Sequence, residues 1–290
     1  PARRRSRAAF YSPRSSAGTK TVEEAVARAL SGAGAFELTG QARGPWQPDA
    51  AHGGAPTGLL ASAIEGEGRG DGLRLTAFSA TFHGPVPLGP VEVETEVLKP
   101  GRRQRVVAAR LRADERTLVE ARGILIRRGS VDLPQGLGEV APVLAPPESC
   151  EPVDQSLWAW RDEPAFHRTA NTVLRIEGGP DRLGSTGAAW FHLDYPIVSG
   201  DETSPAVRAV AAADFGNGVA HPVAFGEYLF VNCDLNVSMF REPAGEWIGL
   251  VSRTDLSGSG AGLTTTELHD LDGRFGSASQ TLYVDLASIS

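Results

Sequence analysis

Four short stretches carry the residue types that could do chemistry. In "ADFGNG" one acid, Asp214, stands beside two glycines where a run of helical spacing ends. Eighteen residues on come Asn232, Cys233 and Asp234, and much later Gln280 in "ASQTLYVDL". The fourth stretch is "HGG", His52, Gly53 and Gly54, directly ahead of an apolar helix-like segment. A carboxylate can take a proton from water or act as a nucleophile, and an amide can accept from and donate to the same water. Amides at a helix start favour developing negative charge. Each residue also has a plainer reading: a turn aspartate, an edge-strand glutamine, glycines that let a helix pack closely, a loop histidine.

The phase of the strands sharpens two of these readings. Gln280 alternates in step with Leu282 and Val284, so if that face is buried its amide must find partners or cost a few kcal/mol. Asn232 and Asp234 would share one face of a strand, which makes Asp234 a rival acid, better suited to pairing with an arginine or a backbone amide. Arginines 102, 103 and 105, with Arg127 and Arg128, offer forks for a phosphate, although exposed hairpin arginines are usually solvated. Phe78, Phe82, Trp190, Phe215 and Trp247 could line an apolar tunnel or fill a core.

Something must position these groups. The segment from Thr21 to Leu30 has helical spacing and predicts a short helix, Phe36 opens a strand, and Ala55 to Gly66 predicts an apolar helix stopping at glycine. Four strand-length segments follow, bounded by Gly, Pro and Asp turns, which implies an antiparallel sheet with the helix on one face. Leu133 to Pro152, with five prolines, reads as a linker, and beyond it the same order returns. "PLGPVEVETEVL" from Pro87 aligns with "PAGEWIGLVSRTDL" from Pro243, an offset of 156 that places Thr76 on Asn232. The layout is a tail over 1–20, a repeat over 21–130, a linker over 131–153 and a second repeat over 154–290.

The whole chain bounds the function. Among its 290 residues 41% are hydrophobic and 22% charged, as in ordinary globular proteins. Its 28 basic and 35 acidic side chains leave a net charge of −7, against nucleic-acid binding through overall charge. No membrane-span-length apolar run or signal-like segment occurs, and two cysteines, Cys150 and Cys233, suit a reduced compartment, so the expectation is cytoplasmic. The basic opening twenty residues read as a flexible tail. No phosphate loop, dinucleotide fingerprint, Gly-x-Ser-x-Gly elbow or zinc-ligand spacing is present, so neither a cofactor nor a metal is expected.

The ordered series "GPW…HGG…LL…AIE", "PVPLGPVEVETEVLKPGRR", "ADFGNG", "FVNCDLNVSMFREPAGEWIGL" and "ASQTLYV" resembles the double hotdog acyl-CoA thioesterases of the TesB-like group. The resemblance implies an α+β fold of two tandem hotdog repeats, each an antiparallel sheet wrapped around a central helix, and hydrolysis of acyl-CoA. It implies that Asp214, Asn232 and Gln280 together hold the hydrolytic water, with His52, Gly53 and Gly54 at the thioester carbonyl; the arginine forks make Arg102 and Arg103 the candidates for the CoA phosphates. Two departures stand out. Asn232 occupies a position where the family has a hydroxyl, and the single-hotdog pattern of a carboxylate nine residues after the histidine meets Ala61, with Glu65 the nearest substitute. A non-catalytic acyl-CoA binder is therefore a second expectation, and free sheet edges leave a homodimer open.

Overall fold

The computed structural model describes residues 25–134, 144–154, 163–179 and 181–287. The expected tail over 1–20 and the middle of the expected linker lie outside them. Among the described residues fourteen strands form one sheet, in the order β1, β2, β4, β5, β6, β3, β11, β14, β13, β12, β9, β8, β7, with β10 also paired to β14. In the first half these are β1 (Ala27–Ala29), β2 (Ala35–Leu38), β3 (Leu73–Phe82), β4 (Gly89–Lys99), β5 (Gln104–Ala113) and β6 (Arg116–Arg127). The second half has β7 (Glu151–Pro152), β8 (Asn171–Glu177), β9 (Thr186–Leu193), β10 (Tyr228–Asn232) and β11 (Asp234–Met239). β12 (Trp247–Leu256), β13 (Ala261–Asp270) and β14 (Gly273–Leu286) complete it.

Two features of that order matter for the site. The neighbours run β2, β4, β5, β6, β3 in the first half and β9, β12, β13, β14, β11 in the second, so both halves follow one plan. The halves join where β3 meets β11 antiparallel, Phe78 opposite Val237. Every strand pair in the sheet is antiparallel, as short hairpin connections require.

Helix α1 (Gly54–Gly66) packs on β3 to β6 and buries Leu59, Leu60 and Ile64, each contributing about 1.5–3 kcal/mol through removal from water. Helix α2 (Pro205–Ala213) is nearly all alanine and valine. It starts with Ser204 accepting from the Val207 N–H, and a short turn, α3 (Gly216–Val219), follows it over β12 to β14. The small side chains let the helices touch: a Cβ on Gly54 would lie 2.5 Å from the Ala211 carbonyl, and one on Gly58 would meet Ile197 and Ala211. Consequently the start of α1 lies against the end of α2.

The expected helix at Thr21 to Leu30 is corrected over its described part. Ala27–Ala29 is a strand paired with β2, while Val26 and Ala27 donate to the carbonyls of Pro196 and Ile197 on the other side. With backbone partners on both edges and full burial of Val26 and Ala27, extended structure outweighs the weak preference of an alanine-rich segment for helix. The stretch "EYLFVNCDLNVSMFRE", which reads as one strand, is two, β10 and β11, broken at Cys233.

Asp270, fully buried where β13 turns into β14, accepts both arms of the Arg241 guanidinium and the amides of Ala244 and Asp272. Burial alone would raise its pKa, but Arg241 and the two amides outweigh burial and hold the carboxyl below the ordinary range. This stability is therefore present above the unfolded carboxyl's pKa of about 3.9 and is lost as pH falls through the lower folded value. Asp270→Asn is expected to cost about 3 kcal/mol in urea unfolding at neutral pH. Its cost relative to wild type should shrink as the pH approaches 3.

Among the described residues no helix is long and apolar enough to cross a membrane.

Candidate active site

Asp214 caps the C-terminus of α2 and is 3% exposed. Its carboxylate projects at the start of α1, where a Cβ on Gly53 would fall 2.7 and 2.8 Å from its two oxygens. Only a glycine admits the acid so close to the first turn of that helix. The positive end of the helix dipole favours an anion there. Asn232, the last residue of β10, donates from Nδ2 to Asp214 Oδ1 at 2.5 Å, and His52 Nδ1 lies 3.0 Å from Oδ2.

His52 is held from several directions. Its backbone N–H donates to the Ala42 carbonyl, and its ring packs against Phe215 at 4.3 Å and Phe166 at 5.3 Å between centroids. Phe215, next to Asp214 in sequence, continues onto Phe191. The Gly54 N–H points at the same Nδ1, 3.1 Å away. One ring nitrogen thus faces both a donor and a carboxylate. With the proton on Nδ1, His52 donates to Asp214 and the Gly54 bond is lost. No acceptor among the described residues takes the Gly53 N–H.

Gln280 reaches the same place from beneath. It is 1% exposed on the face of Ala278 and Leu282, as its phase in the strand predicted. Its Nε2 donates to the Asp214 carbonyl at 3.1 Å and its Oε1 accepts the Asn217 N–H at 3.1 Å. Both ends of the amide thereby hold backbone, across the junction of α2 and α3. Gly216 allows this, since a Cβ there would strike Gln280 Oε1 and Thr266 Oγ1, each at 2.7 Å. The glycine two residues after the acid exists for that close approach.

Above Asp214 opens a cavity of about 460 Å³, bordered by His52, Gly53, Asn232, Asn217 and mainly apolar side chains from both halves. It has the size and lining expected of a small-molecule site. Asp214 and Asn232 face it; Gln280 lies behind them.

Residues 42–127 match the acyl-CoA thioesterase N-terminal domain and residues 147–284 the acyl-CoA thioesterase C-terminal domain. The chain belongs to the acyl-CoA thioesterase family. The thioesterase is also similar to solved structures. A Thermobifida fusca YX protein taken to be a thioesterase II is 20% identical, with TM-score 0.69 over 88% of this chain and 94% of that one. A hot dog fold protein of unknown function from Alicyclobacillus acidocaldarius is 15% identical, with TM-score 0.69 over 92% and 99%. The tesB protein of Mycobacterium avium subs paratuberculosis is 16% identical, with TM-score 0.64 over 91% and 97%. At these identities the likeness establishes the fold, which is an α+β hotdog fold. No curated protein sequence matches the thioesterase.

The other candidate residues separate clearly. Asp234 accepts the Thr281 N–H at 2.6 Å and Asn236 Nδ2 at 3.0 Å, so it serves the backbone. Glu65 sits eleven residues along α1 from Gly54, about 16 Å at the helical rise, and Ala61 is sealed in the core. The carboxylate that does stand beside His52 comes from the other half, as Asp214. Arg102 and Arg103 are exposed on the turn between β4 and β5 and do not border the cavity, and Arg105 is paired with Asp71 and the Glu67 carbonyl. Of the aromatic candidates, Phe82 and Phe215 border the cavity, Phe78 and Trp190 are core, and Trp247 packs on His192. Sequence reasoning missed Asn217, Trp46, Phe225 and Phe230. Trp46 stood in the "GPW" stretch, with nothing to show which wall it would join.

Proposed function

We propose that the thioesterase hydrolyses acyl-CoA to free acid and CoA with a water held by Asp214 and Asn232, and that Gln280 acts by fixing the backbone of the acid. The observation that carries this reading is the carboxylate of Asp214 set between the Asn232 amide and the glycine start of α1, facing the cavity. Asn232 spends its donor on Asp214, which leaves its amide oxygen to accept from the water. As the water oxygen bonds the thioester carbon, its proton passes to Asp214, and the carbonyl oxygen gains charge beside the Gly53 N–H. Collapse breaks the carbon–sulfur bond and the thiol leaves with the proton, directly or by way of His52 Nδ1. The hydroxyl missing at position 232 costs orientation nothing, because a carboxylate and not a hydroxyl removes the proton.

The two halves are read as tandem hotdog repeats over 21–130 and 154–290. Their common strand order and the 156-residue offset support this, and one composite site at the helix crossing follows. A molecule that needs both halves for one acid and one helix start gains nothing by separating them.

Direct attack by water is distinguished from an anhydride on Asp214 by running many turnovers in H₂¹⁸O. The label is expected in the released acid, with the peptide containing Asp214 unlabelled by mass spectrometry. Label in that peptide would mean the carboxylate itself attacks.

A further inference from the structure

Three aromatic rings close the cavity on the side of β10. Trp46 meets Phe230 edge to face at 5.3 Å and Phe225 at 5.3 Å, and Phe225 meets Phe230 at 4.7 Å. Behind them the buried His221 gives Nδ1 to the Gly218 carbonyl and packs on Phe225, and burial lowers its pKa, so its ring is uncharged at neutral pH and continues the apolar wall. Trp46 comes from the first half and the two phenylalanines from the second, so the wall, like the catalytic group, is built by both.

The wall is close to the reacting centre. Phe230 precedes Asn232 by two residues on the same strand face, about 6–7 Å away at the strand rise. A zigzag of carbon–carbon bonds about 1.5 Å long spans that distance in about five carbons. A ring spans it too. The wall is also anchored. Trp46 stands at the tip of a loop tied at its base by the Gly44 N–H to the Ala50 carbonyl, by the Arg43 guanidinium to the Pro48 carbonyl, and by the Leu88 N–H to the Asp49 carbonyl. Two prolines, Pro45 and Pro48, stiffen the loop further.

We propose that the Trp46, Phe225 and Phe230 wall restricts the substrate to CoA thioesters of compact acyl groups, a single ring or a chain of about six carbons, and that Trp46 sets the limit. This rests on the thioesterase reading above and names the substrate class of that site. Phe230 is the poorer handle, because its carbonyl accepts Asn217 Nδ2 and its strand carries Asn232. Trp46 bonds no catalytic group and is 38% exposed, so it is removable without touching Asp214.

The test is kcat/KM by thiol release on butyryl-, hexanoyl-, benzoyl-, decanoyl- and palmitoyl-CoA, for the natural protein, Trp46→Phe, Trp46→Ala and Asp214→Asn. The natural protein is expected to lose at least about tenfold between hexanoyl and decanoyl, and Trp46→Ala to recover most of that ratio, with Trp46→Phe between them. The ratio is independent of how much variant is folded. Palmitoyl-CoA cleaved by the natural protein as fast as hexanoyl-CoA, with Asp214→Asn inactive, overturns the limit and leaves the thioesterase reading intact. A decanoyl to hexanoyl ratio unmoved by Trp46→Ala removes Trp46 from the role. Failure to cleave any of the series would instead overturn the activity, and the limit with it.

Discussion

Asp214→Asn is expected to lower kcat by about a thousandfold on a good substrate while leaving KM within a few-fold. The substitution keeps the shape of the side chain and an oxygen that still accepts from Asn232 Nδ2, so the water site and the helix crossing survive. What disappears is the group that takes the proton, and among the described residues no other carboxylate borders the cavity. Asp234 is engaged by Thr281 and Asn236, and Glu65 is at the far end of α1. Because a buried charge is removed as well, the melting temperature should hold or rise. Thiol release on acyl-CoA together with thermal unfolding measures both halves of the expectation. A variant keeping a tenth or more of the natural rate would exclude Asp214 as the base.

Much of this site was readable in the sequence because its groups are chemically conspicuous where they stand. A glutamine in phase with Leu282 had to be bonded if that face was the buried one, and it is; an acid followed by Phe-Gly-Asn-Gly at a helix end signalled a break, and α2 ends there. The family order then assembled the residues. What spacing could not convey is which chain segment completes the helix start at His52. The search along α1 reaches only Ala61 and Glu65, whereas the carboxylate comes from 161 residues beyond Gly53, through the packing of α1 on α2. Contacts between helices depend on small residues such as Gly54, Gly58 and Ala211, which look like ordinary composition until the facing helix is known.

The misreadings share a physical origin. Helical spacing over 21–30 describes side chains, but Ala27 to Ala29 is decided by backbone partners on two sides, which no local pattern announces. Arginine forks marked Arg102 and Arg103 for phosphate, and neither borders the cavity, because charge does not say at which end of a hairpin a cavity lies. Over 232–234 one strand gives way to two, since the Cys233 N–H pairs with the Thr281 carbonyl between β10 and β11, and Asp234 takes a backbone amide, as expected of it, while Asn232 holds Asp214. The aromatic wall was hidden for another reason: Trp46, Phe225 and Phe230 come from three segments and are joined only in the fold.

Gly53→Ala tests the composite site from the side of the helix. Gly53 has φ −55° and ψ −28°, ordinary helical values that alanine adopts without strain, so the backbone gives no reason for glycine. The nearest obstacle to the methyl group is the Asp214 carboxylate, 2.7 and 2.8 Å from it. That carboxylate is the movable end of a side chain, so the chain should fold and the acid should turn away from Asn232 and His52. Displacement by about an ångström costs on the order of a hundredfold in rate, while stability should change by about 1 kcal/mol or less. Gly66→Ala, at the other end of α1 where a Cβ meets nothing within 4 Å, is the matched control and should leave kcat unchanged. If Gly53→Ala turns over like the natural protein, the carboxylate is not working at the helix start, and the reaction does not depend on the place where the two halves meet.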